Sequence, residues 1–434
     1  MRLAYITPGA AGMYCGSCLH DNALALALIQ LGHEVALIPI YTPIRTDEED
    51  VSISRVFYGA LNVYLEQKSA LFRHTPWLVD RLLASPRVLR WAAGRGSSVD
   101  AKKLGALTLS MLQGEEGKQR KELDRLVSWL RDEYRPDLVH LSNSMLVGMA
   151  RRFRSELGVP VLCSVQGEDI FLEELAEPFH SRVRETLRER ARDVDGFVST
   201  SRYYVEYMSE YLSLPADKLH HVPLGVSLDN FETRPAPGET PFVIGYLARI
   251  CPEKGLHLLV AAFKQLCEAT GAERLRLRVA GWLGQRDRPY LDGIMDQVRE
   301  WGLEGVVDYR GEVDRQGKID FLSSLHVLSV PTTYRDPKGR FVLEALASGV
   351  PVVQPRHGAF PEMIEATGGG LLVEPDSADA LATGLRSLMD DPARRMELGR
   401  RGREAVRRDF GAHSMARRTL EVYARYLTKT GGTA

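Results

Sequence analysis

The sequence predicts an α/β protein with two domains, each built on a parallel sheet. Short apolar runs typical of buried strands alternate with helical apolar patterns in both halves of the 434-residue chain. Gly-rich or charged loops follow several of these strands, as is usual at the carboxyl edge of a parallel sheet. A polar, Pro-rich stretch near residues 226–240 breaks the alternation, so we place the domain boundary there.

The composition is that of an ordinary soluble globular chain. It is 44% hydrophobic and 26% charged with a formal net charge of −1, so no bulk field favours nucleic acid or acidic partners. No apolar run reaches about 18 residues, so we expect no spanning helix. The N-terminus predicts a strand and a Gly loop rather than a signal peptide. Five cysteines, few and odd in number, indicate a reducing compartment and argue against a disulfide framework.

The first predicted unit is a strand at 3–7, a Gly-rich loop, a helix closed by Gly32 and a second strand at 34–40. The loop contains Gly12 and Gly16, and its amides would lie at a helix N-terminus, where a phosphate or a sugar hydroxyl can bind. The spacing is not G-x-G-x-x-G, so a dinucleotide fingerprint is not supported. Taken alone, the loop leaves ligand contact and plain close packing both open.

Two cysteines of this loop, Cys15 and Cys18, have the spacing of a redox motif at a helix start, where a thiolate is stabilised. A metal site would need two further ligands, and His20 is the only obvious local one. We favour a third interpretation, in which these are small residues that allow the loop to pack closely.

A predicted insertion at residues 41–118 interrupts the alternating pattern. Its helical part, 73–103, contains Trp77 and Trp91 and carries seven Lys or Arg against two Asp. Such basic helices are compatible with contact to a membrane surface or to an acceptor. We favour an inserted helical cap with a solvated basic face.

A polar loop of sequence QGED, residues 166–169, follows the buried strand at 159–165, after regular alternation has resumed at Lys121. Open parallel sheets hold ligands at this edge. The side chains of Gln166 and Asp169 can both hydrogen-bond a sugar hydroxyl, so this loop is a candidate binding segment.

An acidic pair, Asp193 and Asp195, has the D-x-D spacing that holds a metal in some enzymes. The pair lies just before the predicted strand at 196–200. That position indicates an ordinary helix end with solvated acids, so we predict no metal there.

The second half repeats the architecture without repeating the sequence. A strand at 242–250 leads into the loop 251–255 and a helix at 257–269. Arg249 and Lys254 flank this loop, and two cations at the carboxyl end of a strand suit a diphosphate, Arg by a forked contact and Lys as a point charge. The alternative is a pair of solvated surface cations.

Residues 334–362 predict a tight turn, a helix and a buried strand. Gly339 belongs to the turn, and Gly349 ends the helix. Asp336 stands just before the helix and Glu344 eight positions later, inside it.

An acid among Leu, Ala and Val is costly to bury without a partner. One interpretation is that Glu344 lines a cleft and accepts hydrogen bonds from ligand hydroxyls. The backbone amides of Lys338, Gly339 and Arg340, near the helix N-terminus, would then face an anion. The other interpretation is that Glu344 points to solvent at a sheet edge, and the spacing favours neither.

The pattern resembles the E-x7-E signature of retaining glycosyltransferases, in particular family 4. Asp336, Gly339 and Glu344 are followed by Gly349 and the Pro-Val-Val run that closes the signature. In that family the first acid contacts hydroxyls of the transferred sugar and the second holds the nucleotide ribose. The first acid here is Asp instead of Glu, so its reach is about 1.5 Å shorter. The resemblance gives a set of donor-binding residues: Glu344, Lys338, Gly339, Arg340 and Phe341.

Other segments resemble the same family. The Gly loop and the later GHEV run are similar to the opening of GT-B enzymes, including the glycogen synthase type. The resemblance implies that Arg249 and Lys254 take the charge of the leaving nucleotide diphosphate and act in catalysis with Asp336. Gln166 stands where the family has a His near the donor sugar, and Gln cannot carry a proton at neutral pH. The implied sugar or acceptor side comprises Gly12, Gly16, Gln166 and Asp169.

The resemblance covers roughly residues 1–427 and implies a GT-B fold, with two Rossmann-like domains facing across a cleft. Residues 1–228 would form the acceptor-side domain, completed by a C-terminal helix at about 411–428 that crosses back to it, and 229–410 the donor domain. The implied activity is retaining transfer of a hexose from a nucleotide-diphosphate sugar, without metal or other cofactor. The acceptor would be a glycan, a lipid-linked molecule or a small molecule.

Two other classes of function stay open at this point. The same fold supports nucleotide-sugar epimerases and phosphorolytic enzymes, and a non-catalytic nucleotide-sugar-binding homologue is the second alternative. No nucleic-acid partner is expected. The expected location is the cytoplasm, with peripheral contact at the inner membrane face left open.

Overall fold

The computed structural model describes residues 1–9, 15–58, 101–231, 238 and 240–430. It divides the chain into two compact units, Met1–Gly225 with Ala412–Ala434 (unit 1) and Val226–Gly411 (unit 2). The change of unit at 225/226 lies close to the boundary that the sequence analysis placed at 228/229.

Unit 1 contains a six-stranded parallel sheet in the order β2-β1-β3-β4-β5-β6. Its strands are β1 (Arg2–Thr7), β2 (Glu34–Pro39), β3 (Leu138–Leu141), β4 (Val161–Val165), β5 (Gly196–Ser199) and β6 (Leu219–His221). Helices cover both faces of the sheet, which is why these strands are near-continuous apolar runs rather than alternating ones.

Two helical layers enclose the sheet of unit 1. The helices are α1 (Gly16–Gln30), α2 (Ala101–Leu112), α3 (Arg120–Trp129), α4 (Ala150–Leu157), α5 (Asp169–Glu173), α6 (Phe179–Ala191), α7 (Arg202–Leu212) and, at the end of the chain, α15 (Ala412–Thr430). Successive residues of β1 point to opposite faces. Ala4 and Ile6 belong to the core cluster that contains α2, α3, α4, α6 and α7, whereas Leu3 and Tyr5 belong to the one that contains α1 and α15. The last helix is therefore part of the core of unit 1.

Unit 2 contains a second six-stranded parallel sheet, in the order β12-β11-β10-β7-β8-β9. Its strands are β7 (Phe242–Leu247), β8 (Leu275–Ala280), β9 (Val307–Tyr309), β10 (Val327–Leu328), β11 (Val352–Pro355) and β12 (Gly370–Val373). The strand order reverses between β7 and β10. Open parallel sheets bind ligands at such a switch point, beyond the carboxyl ends of the strands.

The helices of unit 2 also lie in two groups. They are α8 (Leu256–Thr270), α9 (Arg288–Glu300), α10 (Arg315–Ser323), α11 (Arg340–Ala347), α12 (Phe360–Thr367), α13 (Ala378–Asp390) and α14 (Pro392–Asp409). Helix α8 packs on α9 and α13, while α11 and α12 pack on α14. All eight residues of α11 are buried, so this helix has no solvated face.

The predicted insertion is described only in part. After β2 the chain returns along the sheet, where Ser52 forms a bridge with Leu37 and the Tyr58 amide donates to the Ile40 carbonyl at 2.7 Å. Trp77 and Trp91 lie outside the described residues. Within the described ranges, no helix has the length and apolarity needed to cross a membrane.

Candidate functional site

Three loops of unit 2 meet at its topological switch point, after β7, β10 and β11. Gly255 adopts φ +71°, and a Cβ there would lie 1.8 Å from the Pro331 carbonyl oxygen, so only Gly fits. The Thr333 amide donates to the Glu253 carbonyl at 3.0 Å, and the Ala359 amide donates to the Asp336 carbonyl at 2.9 Å. The loops are thus fixed to one another by backbone contacts.

Asp336 lies at the centre of these loops and is only 3% exposed. Its Oδ2 accepts hydrogen bonds from Lys254 Nζ at 2.7 Å and from the Tyr334 hydroxyl at 2.9 Å. Its Oδ1 accepts from the amides of Lys338 and Gly339 at 2.9 and 3.1 Å. Burial by itself would raise the pKa of this carboxyl, but the charge and hydrogen bond of Lys254, with the two amides, hold the pKa far below its usual range.

Lys254 is therefore held between an acid and two aromatic rings. Its Nζ also donates to the Tyr334 hydroxyl at 2.5 Å, and it lies 4.8 Å from the centre of the Tyr334 ring and 5.6 Å from that of Phe341. Burial, followed by the charge of Asp336, raises the pKa of Tyr334 well above its usual value, so its hydroxyl stays protonated. The cation and the acid that the sequence analysis assigned to separate tasks form one ion pair.

Two of the three amides predicted to face a ligand anion, those of Lys338 and Gly339, donate to the Asp336 carboxylate instead. An Asp side chain commonly folds back onto amides two and three residues ahead, which is the arrangement at Lys338 and Gly339. Gly339, with φ +57°, is the residue before α11. This geometry supplies a physical reason for Asp in place of the longer Glu at this position.

Glu344 is 6% exposed, so the interpretation in which it points to solvent is wrong. Its Oε1 accepts from Lys318 Nζ at 2.8 Å and from Arg340 Nε at 3.0 Å. Phe341, also buried, packs at 5.9 Å from the ring of Phe360. The acid inside the apolar helix is thus stabilised by two cations.

Arg249 is exposed at the end of β7. Burial raises the pKa of both Tyr334 and Asp287, and the positive charge of Arg249 opposes that rise. The guanidinium therefore lies near the same group of loops. Unit 2 consequently brings together all of its predicted site residues: Arg249, Lys254, Asp336, Lys338, Gly339, Arg340, Phe341 and Glu344.

Two residues of this site were missed in the sequence. Tyr334 is the first residue of the predicted segment 334–362, where the sequence pattern indicates no role for it. Lys318 lies on α10 among buried Ile319, Phe321 and Leu322. A Lys on the apolar side of a short helix is the signal that could have revealed it.

In unit 1, Gln166 has partners within the protein. It is 6% exposed, and its Nε2 donates to Asp21 Oδ1 at 3.0 Å and to the Ser142 carbonyl at 2.7 Å. An amide nitrogen carries two hydrogens, so both are used inside unit 1. A hydrogen bond from this nitrogen to a sugar would have to displace one of these partners.

The acid that holds Gln166, Asp21, was not singled out in the sequence. It is fully buried and also accepts from the Tyr5 hydroxyl at 3.0 Å, Thr7 Oγ1 at 2.8 Å and His20 Nδ1 at 3.1 Å. Burial would raise its pKa, but the hydrogen bond and charge of His20, together with further hydrogen bonds including that of Thr7, lower the pKa. Asp21 thereby joins β1, α1 and the loop after β4.

Asp169 is half-buried at the start of α5. Its Oδ1 accepts from the Tyr204 hydroxyl at 2.5 Å, and burial is the main cause of its raised pKa. Gly16, the other described candidate on this side, is exposed, and a Cβ there would meet no atom within 4 Å. Close packing therefore does not explain Gly16, while Gly12 lies outside the described residues.

Neither cysteine nor aspartate pairs form a metal cluster. Cys15 precedes α1 and Cys18 is buried, and in the described ranges no group of three or more His, Cys, Asp or Glu could hold a metal. Asp195 Oδ2 accepts the Val161 amide at 2.8 Å, at the start of β4. Asp195 also pairs with Arg154 at 3.4 Å, so it has partners within the protein instead of the solvated position that was expected.

Two family profiles match successive parts of the chain. The one described as "Glycosyl transferase 4-like domain" matches residues 20–225, and the one described as "Glycosyl transferases group 1" matches residues 229–405. The two matches meet where the structure changes from unit 1 to unit 2.

Similar proteins carry glycosyltransferase names. The D-inositol 3-phosphate glycosyltransferase of Kineococcus radiotolerans is 33% identical over 241 residues, which cover 51% of this chain and 54% of that protein. Glycogen synthase of Mycobacterium tuberculosis is 24% identical over 312 residues, which cover 71% and 72%. The chain spans about half the length of the Kineococcus protein. It also covers 49% of a putative colanic acid biosynthesis glycosyltransferase of Escherichia coli.

Solved structures agree on the architecture. Anabaena HepE in complex with UDP superposes with a TM-score of 0.68 at 16% identity, covering 98% of this chain and 99% of that one. Sucrose-phosphate synthase from Thermosynechococcus elongatus gives a TM-score of 0.73 at 19% identity, covering 99% of each. At these identities the likeness concerns the fold, which confirms the predicted pair of Rossmann-like parallel-sheet domains.

Proposed function

Because the chain belongs to the GT-B glycosyltransferases of family 4, we propose that it transfers a hexose from a nucleotide-diphosphate sugar to an acceptor hydroxyl. The observation that carries the proposal is the presence of two ion pairs at the switch point of unit 2, Lys254 with Asp336 in the loops and Arg340 with Glu344 in α11, the helix that follows the Asp336 loop. The family resemblance assigns Lys254 and Asp336 to catalysis and Arg340 and Glu344 to donor binding.

The departure of a nucleoside diphosphate leaves negative charge that something must stabilise as it develops. Lys254 lies at the loop edge with only 13% of its side chain exposed, and a charge in such a partly desolvated place acts more strongly than one in bulk water. Arg249, exposed at the same edge, would complete the contact with the diphosphate. We propose that these two cations serve without a metal ion.

The acids divide between the sugar and the nucleotide. Glu344, fixed by two cations on Oε1, retains acceptor capacity for ribose hydroxyls, since a carboxylate accepts about four hydrogen bonds. Asp336 uses Oδ1 on two amides and Oδ2 on Lys254 and Tyr334. Its first task is therefore to position Lys254 and the loop, and a sugar hydroxyl would share its Oδ2.

Retention of the anomeric configuration is part of the proposal and comes from the resemblance to retaining enzymes. No side chain is named as a nucleophile. The leaving phosphate would itself accept the acceptor's proton in a front-face reaction. Asp169 and Gly16 remain the proposed acceptor-side residues in unit 1, with a glycan, a lipid-linked molecule or a small molecule as acceptor.

The first test is a thermal-shift panel of the purified chain against UDP, GDP and ADP and their common sugars. A ligand that binds only the native state adds roughly 2.7 kcal/mol at about 100 times its dissociation constant. We expect one nucleotide to stabilise selectively and Glu344→Ala to lose that effect. UDP is the first choice, because the structural neighbour HepE was solved with it.

Product analysis then separates the activities that this fold supports. With the selected nucleotide sugar and a panel of acceptors, a glycosylated product that retains the donor's anomeric configuration and forms in excess chelator is expected. Formation of free sugar, sugar phosphate or an epimerised donor without an acceptor would contradict the proposal. These products would indicate hydrolysis, phosphorolysis and epimerisation, respectively. The absence of any nucleotide shift would favour a non-catalytic homologue.

A further inference from the structure

We propose that Lys318 is a positioning residue of the donor site, which acts by holding the Glu344 carboxylate in the orientation that receives the nucleotide ribose. The inference rests on the proposed function, and it adds a residue that the E-x7-E pattern does not contain. Its starting point is a contact between two helices: Lys318 Nζ on α10 lies 2.8 Å from Glu344 Oε1 on α11.

Burial makes this ion pair unusual. The side chains of Lys318 and Glu344 are only 8% and 7% exposed. Replacing a buried ion pair by apolar side chains of similar size is often neutral or stabilising, so stability alone gives little reason for a Lys at this core position. Its immediate neighbours on α10, Ile319, Phe321 and Leu322, are the apolar residues expected there.

The geometry also distinguishes Lys318 from the second cation. Arg340 is on the same helix as Glu344, one turn earlier, and donates to the same oxygen at 3.0 Å. It therefore moves with Glu344 and cannot fix that helix relative to its surroundings. Lys318 comes from another helix, so its contact fixes the carboxylate relative to the rest of unit 2. With both cations on Oε1, the carboxylate has a defined rotation, and its remaining acceptor positions face a defined direction.

The consequence is measurable as selectivity for ribose. If Glu344 accepts a ribose hydroxyl, the wild-type chain should bind the ribonucleoside diphosphate more tightly than its 2′-deoxy or 3′-deoxy analogue. A hydrogen bond to a charged group corresponds to roughly a tenfold or greater preference for one of these pairs. Lys318→Met should reduce this preference severalfold, because the carboxylate is no longer fixed. Lys318→Arg, which keeps a cationic donor, should retain most of it.

The experiment is calorimetric titration of the full chain with UDP, 2′-deoxy-UDP and 3′-deoxy-UDP, or with the corresponding guanosine or adenosine compounds if the thermal-shift panel selects that base. Glu344→Gln is measured alongside, and so is the double variant with Lys318→Met. Because Lys318 acts through Glu344, the double variant should show no further loss beyond Glu344→Gln. Lys264→Met is the matched control: Lys264 is partly exposed on α8, where it pairs with Glu268, and its loss should leave the preference unchanged.

The outcomes separate the two proposals. If Glu344→Gln lowers the ribose preference while Lys318→Met leaves it at the wild-type value, the role of Lys318 is refuted and the donor site stands. If Glu344→Gln itself has no effect, or wild-type protein shows no preference, the assignment of Glu344 fails, and the inference fails with it. Should Lys318→Met not fold, Lys318→Gln is measured instead. Its neutral amide must also lower the preference, and an unchanged value would refute the inference.

Discussion

Removal of either partner of the ion pair between Lys254 and Asp336 should destabilise unit 2, and the two losses should be unequal. Asp336→Ala leaves the Lys254 ammonium with the Tyr334 hydroxyl and removes the acceptor of two backbone amides. Lys254→Met leaves the carboxylate with three of its four donors, the Tyr334 hydroxyl and the same two amides.

The expected magnitudes follow from this inventory. The two side chains are 13% and 5% exposed, so the pair is largely desolvated. Loss of one partner of a buried pair costs about 3–5 kcal/mol, which we expect for Asp336→Ala. Loss of one charged hydrogen bond from a carboxylate that keeps its other donors should cost about 1.5–3 kcal/mol, which we expect for Lys254→Met.

The measurement must report on unit 2 alone, because a two-unit chain need not unfold in one step. Hydrogen exchange at increasing urea, read by mass spectrometry on peptides from β10 and α11, gives the local free energy of unfolding. Lys264→Met, which removes a partly exposed pair with Glu268 and a contact with the Trp301 ring, is the control and should change that free energy by less than about 1 kcal/mol. Equal costs for the two variants, or a larger cost for Lys254→Met, would refute the reasoning.

Three further predictions concern the backbone, the core and acid stability. Gly255→Ala should destabilise unit 2 by more than about 2 kcal/mol in urea unfolding, because its Cβ would meet the Pro331 carbonyl in a left-handed conformation; an unchanged midpoint would contradict this. Tyr423→Phe should destabilise unit 1 by about 1–3 kcal/mol in the same assay, because the buried His140 Nδ1 loses its partner at 2.6 Å; no loss would mean that another group replaces the hydroxyl. Burial lowers the pKa of His140 to about 3, and the pKa of Asp336 is also lowered, so in both cases the unfolded chain binds more protons on acidification. Both units should therefore lose stability as the pH falls below about 6.5, because burial also lowers the pKa of His326 in unit 2 to about 4, and Asp336 should add a further loss in unit 2 below about 4. Hydrogen exchange of each unit reads these losses; constant stability of unit 1 between pH values of about 6.5 and about 4 would contradict the assignment of His140.

Much of the fold could be predicted because the pattern of apolar residues within a short segment indicates which side chains of that segment are buried. The predicted strand at 3–7 is β1, Arg2–Thr7, and the predicted helix at 257–269 is α8, Leu256–Thr270. In both segments the apolar residues alone specify the element, since a strand covered on both faces is apolar throughout and a surface helix has one apolar stripe. The family resemblance likewise selected residues that the structure places in contact, Lys254 with Asp336 and Arg340 with Glu344.

The polar partners could not be predicted in the same way. Lys318 and Glu344 are 26 positions apart, and Gln166 and Asp21 are 145 apart. No local pattern records which distant side chain will satisfy a buried acid, because that depends on how the helices pack. The Asp336 turn is different, since its amide partners are two and three residues ahead, and the Asp-Pro-Lys-Gly run was a local signal for it.

The position of α15 in unit 1 has a consequence for synthesis of the chain. Translation produces residues 226–411 without interruption, so every strand and helix of unit 2 is available before the last helix emerges. Unit 1 begins first but receives Met415, Ala416, Val422 and Tyr423, which cover Leu3 and Tyr5 of its first strand, only at the end. Until then the part of this sheet face that α15 covers, next to α1, is open on the ribosome. Synthesis of unit 1 thus begins before that of unit 2, but unit 1 completes its core later. A nascent chain stalled before codon 412 would present this apolar surface to chaperones.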